Sequence, residues 1–259
     1  MDSKFEGIVL FQRPHRENDA LVKLFTQEYG TKMFFVKGLQ KPSHPLKANL
    51  IPLTRQSFVG RVNQQGLSFL REANCLDFYP AIQKDPVLLA HASYISQLID
   101  ASTDDNVKDV SLYQFFYKSL TFLNEGYSAD AVHLVCDLRL LKRFGVQLDW
   151  QHCRVCGNQV GPFDFSMRYQ GLLCQAHWSM DSYRLRLKAE SIPLIQSLSG
   201  MSLSRFRKLE IEPELARDLR RLLFEIYNEL VGIHLKTQSY IQEMDQMQAM
   251  IKEIPKRNK

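Results

Sequence analysis

Over the first eighty residues the apolar positions fall in five short runs, at 6–11, 20–27, 31–37, 52–61 and 66–72. They are rich in Val, Ile, Leu, Phe and Thr and are separated by Pro, Gly, Asn and charged residues. Such runs between turn formers predict strands. Five short strands suit a small closed barrel of the OB-fold kind, since closure removes exposed edges and leaves the rim loops free to bind. The segment 12–19 is expected as a connector.

From Asp85 the period becomes helical. Asp85-Pro86 reads as an N-cap and first-turn pair, followed by a stripe of Val87, Leu88, Tyr94, Ile95, Leu98 and Ile99. Asp104-Asp105 is expected to open a second helix through Val107, Phe115 and Leu123. Ser128 is expected to cap a third that stops near Gly145. After a Cys-rich stretch, 183–188 alternates like a strand, with Arg184, Arg186 and Lys188 on one side. A short helix is expected over 191–198 with Ser191 as its N-cap, then a long one from Pro213 striped by Leu215, Leu219, Leu222, Leu223, Ile226, Leu230 and Ile233. The end, 254–259, is a basic tail. The fold class expected is therefore α+β and multidomain: an OB-fold barrel at 1–80, a helical domain at 81–150 and 189–259, and a zinc-ribbon-like insert at 151–188.

Composition changes this picture little. At 259 residues, 45% hydrophobic and 24% charged, the chain sits in the ordinary globular range. No apolar run reaches the length of a membrane span, and Met1-Asp2-Ser3-Lys4 lacks a signal-peptide pattern, so a cytoplasmic location is expected. Charge adds more. The net +5 is uneven, with basic excess in 1–80 and 151–259 around an acidic middle, which suggests a polyanion partner.

The most specific chemistry lies in Cys153-Arg154-Val155-Cys156 and, after seventeen residues, Cys174-Gln175-Ala176-His177. Two soft-ligand pairs, each with two intervening residues, can converge on one tetrahedral ion. His177 is the expected fourth ligand, with His152 as its rival. Four protein ligands leave no open position for an activated water, so a bound Zn2+ is expected to be structural. Cys75 and Cys136 are expected to be buried small hydrophobes.

Signatures of catalysis are missing: no phosphate-binding GxxxxGK[ST], GxSxG elbow, HExxH helix or GxGxxG turn occurs. His15, His44, His91, His133 and His234 show no evident carboxylate or thiol partner. Binding is the expected activity. Arg13, Arg16, Lys23, Lys32, Lys37, Lys41 and Lys47 form the expected phosphate-tracking set, and Phe34, Phe35 or Phe58 would stack on bases where they face outward. Each aromatic is more readily explained as barrel filling. Arg139, Lys142 and Arg143, at the end of the third helix, are candidates for docking an acidic peptide, although a helix C-terminus also favours basic residues.

Several ordered blocks resemble a known family. Gly7-Ile8-Val9-Leu10, Glu17-Asn18-Asp19-Ala20-Leu21-Val22, Leu24-Phe25-Thr26, Gly30 and Val36-Lys37-Gly38 are similar to the opening of the bacterial recombination mediator RecO family. Leu138-Arg139-Leu140-Leu141, Gly145, the knuckle Cys153 to Cys156, and His234-Leu235-Lys236-Thr237-Gln238-Ser239 extend the resemblance in the same order. It implies an N-terminal OB-fold, a helical domain and an inserted zinc ribbon. It also implies a non-enzymatic function: binding single- and double-stranded DNA, annealing complementary strands and, with RecR, loading RecA onto strands coated by single-stranded DNA-binding protein (SSB).

Overall fold

The computed structural model describes residues 2–201 and 209–253, so the basic tail expected at 254–259 lies outside the described residues. The chain divides into two compact units, Met1–Gly126 and Tyr127–Lys259. Among the described residues, no helix is long and apolar enough to cross a membrane.

In the first unit, five strands close a barrel in the order β1-β2-β3-β5-β4: β1 (Ser3–His15), β2 (Asp19–Thr26), β3 (Gly30–Val36), β4 (Arg55–Arg61) and β5 (Ser68–Asp77). Alternation fixes which side chains point inward. Phe5, Val9, Val22, Leu24, Phe34 and Phe58 fill the interior, with the Phe5 ring stacked 5.6 Å from both Phe34 and Phe58. β1 is longer than its apolar run because it carries a bulge between Val9 and Phe11. Ser3 to Ile8 pair with β4 and Gly7 to His15 with β2, so only Gly7 and Ile8 are paired on both sides. Arg13 and His15, expected in a connector, therefore lie on a strand. Gly60 is needed where β4 crosses β5, since a Cβ there would sit 2.3 Å from the Phe69 carbonyl oxygen.

The last closure, β3 beside β5, is parallel and short, with Phe34 opposite Ser68 and Phe35 opposite Phe69. One mouth of the barrel is plugged by the turns between β3 and β4, which insert Leu39, Leu46 and Leu50 into the core. Sequence patterning missed this plug because its apolar residues have no period.

Three helices complete the unit: α1 (Pro80–Lys84), α2 (Pro86–Ala101) and α3 (Val110–Asn124). Asp85 caps α2, accepting from the N–H groups of Val87 at 2.8 Å and Leu88 at 3.3 Å. The next helix begins later than expected, with Asp109 as its cap. Asp105 is drawn instead to the barrel, where it accepts from the Thr31 hydroxyl at 2.9 Å, while the Asn106 N–H bonds the Thr31 carbonyl at 2.9 Å.

The second unit is helical apart from one hairpin. α4 (Ala129–Leu140), capped by Ser128, packs on α5 (Ser191–Ser199) and α6 (Pro213–Ile226), and ends in a 3-10 turn that Gly145 closes with a left-handed φ of 79°. Ser191 is not the cap of α5. It is the first helical residue, and its hydroxyl donates to Asp218 at 2.7 Å. The long stripe from Pro213 is interrupted: a π-turn at Tyr227–Val231 and left-handed Gly232 precede α7 (Lys236–Glu253), so His234 lies in the break. Arg220, only 3% exposed, bridges Asp130 of α4 and both carboxylate oxygens of Asp245 in α7.

Two further expectations are corrected. Cys136 is buried as expected, but Cys75 is exposed on β5. His133 does have a carboxylate partner one turn along: its Nε2 lies 3.2 Å from Asp137 Oδ2, both side chains being fully buried.

Candidate metal centre and nucleic-acid interface

The hairpin of β6 (Phe163–Ser166) and β7 (Gly171–Cys174) carries the chemistry that the cysteine spacing announced. β7 delivers Cys174, and a 3-10 turn at Gln175–Met180 swings His177 back over it. The first knuckle lies on the open edge of β7, tied by the Arg154 N–H to the Leu172 carbonyl at 2.8 Å and by the Gly157 N–H to the Cys153 carbonyl at 2.9 Å. Gly157 takes φ 71°, which a β-carbon would strain.

Cys153, Cys156, Cys174 and His177 thus place their ligand atoms within 4.8 Å of one another. Zinc bonds of about 2.3 Å to sulfur and about 2.0 Å to nitrogen imply tetrahedral edges of about 3.8 Å (S···S) and about 3.5 Å (S···N). Cys156 Sγ lies 3.8 Å from Cys174 Sγ, and His177 Nδ1 lies 3.6 Å from Cys153 Sγ and 3.2 Å from Cys174 Sγ. The donors fit such an ion. Burial alone would raise the Cys153 thiol, but backbone N–H groups of Cys174, Cys156 and Val155 aimed at its sulfur bring its pKa down to about 6. A sulfur so surrounded is a ready thiolate ligand. His152 is turned elsewhere: Nδ1 meets Asp149 at 2.7 Å and Nε2 meets Gln159 at 2.9 Å.

The stretch 183–188, expected as a strand, is irregular. Among the described residues only one backbone bond ties it to β6, from the Leu185 N–H to the Phe165 carbonyl at 3.0 Å; beyond it Asp164, buried in β6, accepts from the N–H groups of Arg186 at 3.0 Å and Leu187 at 3.1 Å. Arg184 does not sit in an open basic row. It pairs with the same Asp164 at 3.0 Å and lies over the Trp178 ring.

The seven basic residues expected to track phosphates separate into two groups. Lys23 pairs with Asp100 at 2.6 Å and Asp105 at 3.0 Å; burial would lower its pKa, but these two carboxylates more than offset that and raise it. Lys32 is 5% exposed and donates to the Asn63 carbonyl at 2.7 Å and Asn106 Oδ1 at 2.6 Å; burial holds its ammonium below the ordinary lysine range, even with Asp105 nearby. The other five, Arg13, Arg16, Lys37, Lys41 and Lys47, are exposed.

These five lie near the plugged mouth of the barrel. The β1–β2 turn and the plug are fastened by the Gly38 N–H to Asp19 at 2.8 Å and the Gln40 N–H to the Asn18 carbonyl at 2.9 Å. Arg16, Lys37 and Lys41 then line one cavity of about 370 Å3 with Glu17, Asn18 and Asp19. Of the aromatics, Phe34 and Phe58 are core, and only Phe35 faces outward. In the second unit, Arg139 and Lys142 line a cavity of about 410 Å3 with Val135, Leu138 and the end of α5, while Arg143 is exposed beside it.

Comparison with known proteins bears on both sites. Residues 1–79 match the family model described as Recombination protein O N terminal, and residues 83–239 the one described as Recombination protein O C terminal. The chain is 35% identical over 254 residues to the DNA repair protein RecO of Enterococcus faecalis, covering 98% of this chain and 97% of that protein. It is 35% identical over 243 residues to the protein of that name from Pediococcus pentosaceus, covering 94% and 96%. To that of Lactococcus lactis subsp. cremoris it is 37% identical over 243 residues, again covering 94% and 96%.

Proposed function

The chain belongs to the RecO family, whose members are non-catalytic mediators of DNA repair and recombination, and from that premise we propose that it grips DNA at the plugged mouth of its barrel. The observation that carries this reading is the gathering of three exposed cations, Arg16, Lys37 and Lys41, around one cavity at the plugged mouth, with exposed Arg13 on β1 and Lys47 in the plug to extend it. Exposed cations neutralise phosphates and release counterions, which favours binding to single and double strands alike. Two partly neutralised strands repel each other less, so annealing follows with no bond made or broken. With RecR, and on strands coated by SSB, such a grip would help load RecA.

Zn2+ is the metal proposed for the Cys153, Cys156, Cys174 and His177 set, since three thiolates and an imidazole suit it and its role would be structural. Bound there, it would turn the hairpin into a zinc ribbon held from both ends. The divisions at 80, 150 and 188 are proposed as boundaries of function, not of compact units. Arg139 and Lys142, with Arg143 beside their cavity, support a second contact for an acidic peptide, such as one carried by SSB.

Titrating a labelled oligonucleotide at two salt concentrations tests the grip. Tight binding in dilute buffer that weakens steeply with salt is expected; no binding in dilute buffer would sink the reading. For the second contact, Lys142→Glu should weaken an acidic peptide and leave the oligonucleotide untouched.

A further inference from the structure

Strand register places five residues in one row across the barrel. Arg13 is opposite Leu21, Leu21 opposite Phe35, Phe35 opposite Phe69, and Phe69 opposite Arg61. Directly paired residues share a face of the sheet, and this row is on the outer one, because its neighbours Val22 and Phe34 are in the core. At the centre of the row, where β3 meets β5, the rings of Phe35 and Phe69 lie 6.1 Å apart at 77°, and His15 stands edge-on to Phe35 at 6.0 Å. Phe69 is 43% exposed. An aromatic pair in that position adds little to the core, yet it is bracketed by the exposed Arg13 and Arg61, neither of which makes an ion pair among the described residues.

The flanking parts of the outer face on β2 and β5 are occupied or acidic. On β2, Lys23 is tied to Asp100 of α2, Phe25 packs edge-on against Tyr113 of α3 at 5.6 Å, and Gln27 bonds Gln114 at 3.1 Å, so helices cover that side. Along β5 the next outward pair is Val59 and Glu72, whose carboxylate marks a limit for a polyanion track. The seam is also continuous with the cationic mouth, as Lys37 follows β3 directly after Val36.

We propose that Phe35 and Phe69, with His15 beside them, form a base-stacking platform on which single-stranded nucleic acid lies as it leaves the barrel mouth, its phosphates running between Arg13 and Arg61. The platform rests on the reading of the mouth as a DNA grip, and deepens it by separating recognition of bases from recognition of phosphates. Every base has a π face, so stacking holds single strands without regard to sequence; a duplex, whose bases are already stacked, gains nothing from it.

The test compares an oligothymidylate with an abasic strand of the same length, and with a duplex, on the full chain and on Phe35→Leu/Phe69→Leu, which keeps the apolar bulk. The unmodified chain should bind oligothymidylate about tenfold tighter than the abasic strand. The double variant should lose that preference while duplex affinity and salt slope stay unchanged. Should the double variant fail to fold, Phe69→Ser alone, at an exposed position, should lower the preference several-fold. Equal binding of both strands by the unmodified chain, a preference that survives the substitutions, or an equal loss on duplex overturns the platform and leaves the mouth standing. Binding of no nucleic acid in dilute buffer overturns both.

Discussion

The two histidines that compete for the fourth position of the candidate metal set are separated by what holds their rings. His152 adjoins Cys153 and His177 lies three residues after Cys174, but Asp149 and Gln159 hold the His152 ring, whereas His177 turns Nδ1 onto two sulfurs. His177→Ala is therefore expected to lower bound zinc well below one ion per chain and to destabilise the hairpin, while His152→Ala retains the metal; elemental analysis of the purified variants distinguishes them. A second residue-scale expectation concerns Arg220. Replacing it by Met takes the guanidinium away from Asp130 and Asp245 in a mostly buried site, and a loss of about 3 kcal/mol in urea unfolding should follow. The cysteine spacing made the metal set legible before any fold was known. Lys23 and Lys32 were not legible as internal, because their partners Asp100, Asp105 and Asn106 lie some seventy residues away in sequence. The partnership of His133 with Asp137 was readable from the four-residue spacing on α4.

Among the elements, those that announce themselves locally were found in sequence: α2 through Asp85-Pro86, α4 through Ser128, and the five strands through their apolar runs. Those set by distant partners were not. Asp104-Asp105 resembles a helix cap, but the barrel takes Asp105, so α3 waits for Asp109. The alternation at 183–188 resembles a strand, but after Leu185 the Asp164 carboxylate takes the Arg186 and Leu187 donors and Asp218 takes that of Lys188. The docking of loop 104–108 on β3 explains Gly30. A Cβ there would meet the Val107 carbonyl oxygen at 2.0 Å, and φ is already +70°. Gly30→Ala must push the loop away, losing the Thr31 contacts as well as straining the backbone, and is expected to cost about 2–4 kcal/mol. Gly66→Ala supplies the control. It has φ +74° but nothing within 4 Å, so only the conformational penalty of about 1 kcal/mol should appear in the unfolding midpoint.

For the whole molecule, a net charge of +5 is a poor guide to affinity for a polyanion, because cations held by the protein's own carboxylates displace no counterions. What matters is how many reach solvent at one place: the barrel mouth gathers Arg16, Lys37 and Lys41 around one cavity, and Arg13 on β1 and Lys47 in the plug are exposed as well. If all five meet phosphates of a single strand, at about 0.7 counterion each, log K should fall against log salt with a slope of about −3 to −4, or about a hundredfold between 50 and 200 mM. Lys37→Ala/Lys41→Ala should make that slope shallower by about 1 to 1.5. Lys23→Ala should leave the slope where it was and reduce stability instead, since its charge is engaged by Asp100 and Asp105. A slope that responded to Lys23 as strongly as to Lys37 would mean that net charge, not the geometry of the mouth, governs the grip.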